Sequence, residues 1–173
     1  MARPSITEVR ALPDVAQLFR WNLIIAQTPT GVAAPANGLN IRCETSTVPK
    51  ATNQTFDVNI RGHQVGQNGI LVYDKSYSLT FVETVDNMIH QFFKTWREQM
   101  WATRTGVAAF PTSQLKGEFI LERLNNQDQA IWRYAIHGVL LQDYDVGQLD
   151  NQGSDAIKPT LIFAYDYFDD GPA

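Results

Sequence analysis

The sequence has few of the features on which redox, metal or nucleic-acid chemistry depends. Cys43 is the only cysteine, so no disulfide can form within the chain and no cysteine-based metal cluster is expected. Only 18% of the 173 residues are charged, and the net charge of −4 argues against general nucleic-acid binding. No apolar run approaches the roughly 18 residues that a membrane helix needs. The polar N-terminus MARPSITEVRALPD is not expected to act as a signal peptide.

Catalytic and cofactor-binding patterns are also missing from the sequence. His63, His90 and His137 are too far apart to share a short metal-ligand spacing. The glycine-rich stretch 62–69 has neither the lysine nor the following helix of a phosphate-binding loop. No Gly-x-Ser-x-Gly nucleophile elbow occurs. The sequence therefore predicts a protein that is not an enzyme and that binds no cofactor or metal.

The acidic loop 143–155 is the one segment with a possible calcium-binding composition. Its aspartates are Asp143, Asp145, Asp150 and Asp155. An EF-hand loop would need an oxygen-bearing side chain where Gly147 stands and a glutamate where Ser154 stands, with helices on both sides. A solvated loop or a contact with another subunit is therefore the favoured interpretation.

One long segment, 86–104, has a helical period. Asp86 is placed to cap its N-terminus and Gly106 to end it. Its apolar residues recur at spacings of three and four and form one stripe: Met88, Ile89, Phe92, Phe93, Trp96, Met100 and Trp101. This stripe is too large for one helix to bury alone, so the helix must pack on a sheet. The residues expected at that contact are Ile89, Phe92, Phe93, Trp96 and Met100.

Most of the remaining chain reads as strands separated by turns. A capping-box sequence from Ser5 to Glu8 predicts a short helix over 6–12. Strands are predicted over 18–26, 39–45, 56–61, 70–73, 77–84, 115–122, 131–141 and 159–168. One face of the last strand is expected to carry Leu161, Phe163, Tyr165 and Tyr167. The fold class is therefore α+β and dominated by β-structure, a sandwich or barrel with one main flanking α-helix.

The order of these segments resembles the tail tube protein of contractile-tailed bacteriophages. The resemblance rests on RCETSTVPK after the first strand, on FFKTWREQMW in the helix, and on RYAIHGVLLQDYDVGQLDNQGSDAIKPTLIFAYDYF near the end. In the last stretch, the family pattern is matched by Gly138, by 147–150 (GQLD) and by 165–167 (YDY). The similarity spans roughly 18–168. It departs from the family at Val48-Pro49 and in a longer loop at 28–38.

The resemblance implies a single tail-tube domain over 1–173. Within it, 1–17 would be an N-terminal segment with a short helix, 47–73 an arm that reaches the neighbouring ring, and 143–155 an acidic loop. Six copies would form a ring whose strands join around a hollow lumen, and rings would stack into the inner tube of a contractile tail. The implied partners are further copies of the chain, the sheath, the baseplate and tail terminator proteins, and the tape measure protein and passing DNA, with no membrane. The implied location is the virion tail, assembled in the host bacterial cytoplasm.

A DNA conduit must not bind phosphate, because each lysine or arginine contact adds affinity through counterion release. Six copies at −4 each give roughly −24 per ring. Polar strand faces supply the candidate lumen residues Glu44, Asp57, Glu118 and Glu122. Residues 1–114 carry a balance of +2 and residues 115–173 a balance of −6, so opposite charges can meet between copies. The candidate inter-ring contacts are Lys50, Arg61, Lys75, Asp143, Asp145 and Asp150.

Other functions fit parts of the same pattern. A baseplate protein that starts the tube, or a cap protein of the same fold, would share every segment. So would the tube of a phage-derived bacteriocin or injection system. A soluble ligand-binding β-barrel would instead need an internal apolar cavity. An enzyme lacks any supporting group of residues in the sequence.

Overall fold

The computed structural model describes residues 3, 5–12, 14–33, 38–147 and 155–173. The described helices are α1 (Ile6–Arg10), α2 (Gly38–Arg42), α3 (Met88–Met100) and α4 (Thr112–Leu115). The described strands are β1 (Trp21–Gln27), β2 (Cys43–Ser46), β3 (Ala51–Ile60), β4 (His63–Tyr73), β5 (Tyr77–Phe81), β6 (Gly117–Leu124), β7 (Ala130–Asp145), β8 (Thr160–Ala164) and β9 (Tyr167–Pro172). Strands dominate, and every strand pair is antiparallel, so the predicted fold class is confirmed.

Strand β7 joins the two halves of the main sheet. Its first half pairs with β6 on one side and β9 on the other, and its second half pairs with β8. The change of partner occurs at Gly138, whose φ of +69° suits glycine and lets the strand bend. The sheet runs β1-β6-β7-β8-β5-β2, with β9 beside β7. One half of the sheet is therefore the four-stranded group β1-β6-β7-β9.

Both halves of the sheet and helix α3 share one aromatic core. Trp96 is fully buried, and its ring centroid lies 6.0 Å from that of Phe119 and 5.7 Å from that of Phe163. Phe93 lies 5.9 Å from Phe81, measured between ring centroids. Because Phe119 is on β6 and Phe163 on β8, one helix fixes the position of both halves of the sheet.

The helix α3 is shorter than predicted. It covers 88–100 rather than 86–104, and four residues of the apolar stripe are buried: Ile89, Phe92, Phe93 and Trp96. Met100 is half-buried against the core. Trp101 is 62% exposed, because it has extended geometry at the helix C-cap and no longer follows the helical period.

Glu83, and not Asp86, makes the main cap of α3. The Glu83 carboxylate accepts hydrogen bonds from the backbone N–H groups of Ile89, at 3.3 Å, and His90, at 2.8 Å. Asp86 accepts a longer 3.4 Å bond from Met88 and pairs mainly with Arg42. The negative charge of Glu83 thus lies at the positive end of the helix dipole.

We expect Glu83→Ala to lower the free energy of unfolding by about 1 kcal/mol, the usual loss when a helix cap is removed. Glu83→Gln retains an acceptor oxygen, so its free energy of unfolding should fall by less. Chemical denaturation of the two variants checks this prediction. Equal losses would mean that the charge, and not the hydrogen bond, carries the effect.

The predicted strand over 39–45 is wrong in its first half. Residues 38–42 form helix α2, and only 43–46 are a strand. Leu39 is buried and Ile41 is 83% exposed, so these two residues do not share a strand face. The cause lies in Asn40, whose side chain accepts a hydrogen bond from the Leu23 backbone N–H at 2.8 Å.

The end of the chain also differs from the prediction. The expected strand over 159–168 breaks after Ala164, and a separate strand β9 runs from Tyr167 to Pro172 along β7. Tyr167 is 44% exposed and stacks on His137, whereas Leu161 and Phe163 are fully buried. The break lies opposite the bend at Gly138, so the two strands turn together.

Strands β3 and β4 form a separate two-stranded hairpin. The glycine-rich stretch 62–69, which lies between the predicted strands 56–61 and 70–73, is mostly strand, and the tip is the turn at Arg61-Gly62. The hairpin exposes large apolar side chains: Phe56, Ile60, Val65, Ile70, Leu71 and Val72. At about 3.4 Å per residue, the ten residues of β3 extend over roughly 30 Å.

Candidate assembly surfaces

The open face is the side of β1, β6, the first half of β7 and β9 that points away from the core. Phe119 and Leu121 of β6 are buried in the core, so the alternate residues Glu118, Ile120 and Glu122 lie on the open face. Cross-strand register places further residues beside them: Asn22, Ile24, Arg133, Ala135, His137 and Asp169. The open face is therefore mixed, with apolar residues between polar ones.

The charges of the open face are paired across strands. Glu122 accepts two hydrogen bonds from Arg133, of 3.0 and 2.6 Å, and is only 7% exposed. His137 lies between Glu118, 3.2 Å from its Nδ1, and Asp169, 3.4 Å from its Nε2. The charge of Glu122 is therefore offset by Arg133 on the next strand, and His137 lies between the other two carboxylates.

The structure brings two of the four candidate lumen residues together. Glu118 and Glu122 lie four residues apart on the open face. Glu44 lies on β2 and pairs with Lys158 at 2.6 Å, and Asp57 lies on the hairpin, where it accepts a 2.6 Å bond from Gln64. The sequence reasoning missed Arg133, His137 and Asp169. The alternation of Arg133, Ala135 and His137 along β7 was the available signal for the first two.

The candidate inter-ring residues lie at three places. Lys50 and Lys75 are at the base of the hairpin, where the Lys50 carbonyl accepts bonds from Tyr165 Oη and Asp74 N. Arg61 is in the turn at the hairpin tip. Asp143 and Asp145 are exposed at the end of β7, and Asp150 lies outside the described residues.

The base of the hairpin and the acidic end of β7 lie at opposite ends of β8. Asp145 pairs with Thr160 at the start of β8. Tyr165, just past the end of β8, donates a 3.2 Å hydrogen bond to the hairpin base at Lys50. Lys50 and Lys75 therefore lie near one end of β8, beside Asp74, and Asp143 and Asp145 lie near its other end, where Lys158 also lies.

Several other features show no sign of chemistry. Burial raises the pKa of the Cys43 thiol to about 12, so it is a poor nucleophile. Within the described part of the chain no three His, Cys, Asp or Glu side chains are grouped to hold a metal ion. An apolar pocket of about 270 Å³ opens between Leu18, Val48 and Tyr134 at the surface, whereas the core between the sheet halves is filled by the packed rings.

None of the helices described is both long enough and apolar enough to cross a membrane.

Comparison with known proteins gives matches of fold and none of sequence. No protein-family model and no curated protein matches the sequence. A chain of the anti-feeding prophage cap, the AFP tube terminating cap, superposes with a TM-score of 0.66 at 8% identity, covering 94% of this chain and 95% of that one. A chain of the sheath–tube complex of an extracellular contractile injection system, PVC, in its extended state gives a TM-score of 0.62 at 8% identity. That match covers 99% of this chain and 100% of the other. A chain of the AFP baseplate gives a TM-score of 0.59 at 14% identity, covering 93% of this chain and 97% of the other.

These matches define the class of fold. The chain has the fold found in tube, cap and baseplate assemblies of contractile injection systems. The resemblance to tail tube proteins is thereby confirmed at the level of the fold.

Proposed function

We propose that this protein is a structural, non-catalytic subunit whose rings stack into the inner tube of a contractile tail. The observation that carries the proposal is the match over nearly the full length of a chain from a sheath–tube complex. In a phage, such a tube would be the conduit for DNA ejection, located in the virion and surrounded by a sheath. The AFP baseplate, one of the matched assemblies, was reconstructed with six-fold symmetry, which supports rings of six copies.

The strand order supports closure of a ring. The group β1-β6-β7-β9 contains four strands, each antiparallel to the next, and its outer strands are β1 and β9. Because four is even, β1 and β9 run in opposite directions. Copies related by rotation about one axis can therefore place β9 of one copy antiparallel to β1 of the next. Such pairing would remove both exposed edges.

The charges and the hairpin support stacking. Lys50 and Lys75 at one end of β8, and Asp143 and Asp145 at the other, would suit head-to-tail contacts between rings. The hairpin exposes Phe56 and Ile60, which would be buried if it reached the neighbouring ring. The open face would then line the lumen, with Glu118 and Glu122 among its acids.

Electron microscopy of the purified protein tests the proposal. We expect six-fold rings and tubes that lengthen with protein concentration. Monomers without ring formation at any concentration would refute it.

A double charge reversal tests the stacking contact. We expect Arg61→Glu with Lys75→Glu to block tube growth in sedimentation, because both changes place acids where the next ring is expected to present acids. Rings should persist, since closure uses β1 and β9. The matched control is Lys94→Glu with Arg104→Glu, two exposed bases on and after α3. Unimpaired polymerisation of the first variant would exclude this contact.

A cap or baseplate component is the second candidate function. The match to the AFP tube terminating cap, at a TM-score of 0.66, favours it as strongly as the sheath–tube match favours the repeating tube. Because AFP and PVC are themselves the matched systems, the tube of an injection system or bacteriocin is a further form of the same proposal. Copy number in purified particles separates a cap from a repeating tube.

A further inference from the structure

The outer edge of β1 is not free along its whole length. The Arg20 carbonyl accepts a bond from Leu124 N of β6, so by the two-residue period Asn22 and Ile24 also direct their backbone groups toward β6. The backbone groups of Trp21, Leu23 and Ile25 therefore point to the outer edge. At the middle of this edge, Leu23 N–H donates to Asn40 Oδ1 at 2.8 Å.

The Asn40 amide imitates one peptide group of a neighbouring strand. It accepts from Leu23 through its oxygen and donates through Nδ2 to Asn22 Oδ1. Asn22 in turn donates to Glu122 at 3.5 Å, and Glu122 is held by Arg133. A hydrogen-bond chain across three strands thus orients the Asn40 side chain on the edge.

The backbone that carries Asn40 is anchored separately from this bond. Leu39 is buried in the core. Arg42 pairs with Asp86 through two bonds of 3.1 and 2.9 Å, and its carbonyl accepts from Val82 N at 2.8 Å. Rotation of the Asn40 side chain would therefore free the Leu23 N–H without unfolding helix α2.

We propose that Asn40 is a removable cap on the β1 edge, which holds the Leu23 N–H until strand β9 of a second copy takes its place. This inference rests on the proposed ring. An uncapped central N–H on an edge strand invites pairing with any passing strand, and a side-chain bond suppresses that pairing in the free chain. Ring closure then exchanges one hydrogen bond for another, so the cap raises the concentration at which assembly begins.

The test compares Asn40→Ala with Ile41→Ala. Ile41 lies next to Asn40 on α2 but is 83% exposed, so its truncation leaves the cap intact. Hydrogen exchange should show a protected Leu23 amide in the wild type and the control, and fast exchange in Asn40→Ala. The critical concentration for assembly should fall about five-fold in Asn40→Ala, the effect of one net hydrogen bond, with regular rings in electron micrographs. Asn22→Ala removes the side chain that orients Asn40 but keeps the Asn40 oxygen that accepts from Leu23 N–H. The critical concentration should therefore fall by less in this variant.

The outcomes separate the cap from the proposed ring. If the wild type and Ile41→Ala assemble and Asn40→Ala begins to assemble at the same or a higher concentration, the cap is refuted and the ring stands. Amorphous aggregates of Asn40→Ala alone, with rings in the wild type and Ile41→Ala, would refute the exchange with β9, because the bond would then only shield the edge from unspecific pairing. If no variant and no wild-type sample forms rings, the proposed function fails and the cap fails with it.

Discussion

Replacing Trp96 with alanine is expected to lower the free energy of unfolding by about 3–5 kcal/mol, the range for truncating a large buried aromatic. Trp96 is fully buried and packs against Phe92, Phe93, Phe119 and Phe163. The cavity left by the indole would lie where α3 meets both halves of the sheet, so it cannot collapse without moving one of them. Chemical denaturation followed by tryptophan fluorescence and circular dichroism measures the loss.

Trp101→Ala is the matched control, because it removes the same side chain one residue beyond the same helix. Trp101 is 62% exposed, so we expect a loss of less than about 1 kcal/mol. Comparable losses for the two variants would show that the helix end, and not the aromatic core, carries the stability.

The core could be predicted because its signal is local. The apolar period of 88–100 specifies which side of α3 is buried, whatever the rest of the chain does. The end of the helix depends on other contacts. Glu98 accepts bonds from the backbone N–H and the hydroxyl of Thr103, which fix a turn after Met100 and leave Trp101 outside the period.

The elements that the sequence did not reveal depend on distant partners. Strand β9 has the sequence YFDDGP, with no clear alternation, and it is a strand because β7 supplies its hydrogen bonds. The stretch 63–69 is polar and rich in glycine, yet it pairs with β3. Helix α2 replaced a predicted strand because the Asn40 side chain bonds to β1. Such pairings join residues far apart in sequence and have no local pattern.

The candidate lumen residues show the same difference between local patterns and distant pairing. Alternation along β6 placed Glu118 and Glu122 on one face, which a single strand can show. It could not show that Arg133 and His137 stand opposite them, since that requires the register of β7 against β6. Glu44 and Asp57 were grouped with them because they too lie on polar faces of predicted strands, and the structure places those two on other strands.

Gly138→Ala is expected to lower the free energy of unfolding by about 2–3 kcal/mol and to release strand β9. Gly138 has a φ of +69°, which a residue with a Cβ rarely adopts, and an added Cβ would lie 2.6 Å from Cγ of Asp166. The Asp166 carboxylate is already paired with Lys116, and its backbone N–H donates to the His137 carbonyl, so it cannot move away freely. The strain would fall on the bend that directs β9 along β7.

Gly171→Ala is the control for that substitution, because Gly171 lies within β9 and an added Cβ there meets no atom within 4 Å. We expect it to leave both stability and assembly close to those of the wild type. In Gly138→Ala, hydrogen exchange of the β9 amides should accelerate more than that of β6. If β9 supplies one edge of each ring contact, ring formation should then require a higher protein concentration. Retained protection of β9 together with unchanged assembly would show that the bend at Gly138 does not position this strand.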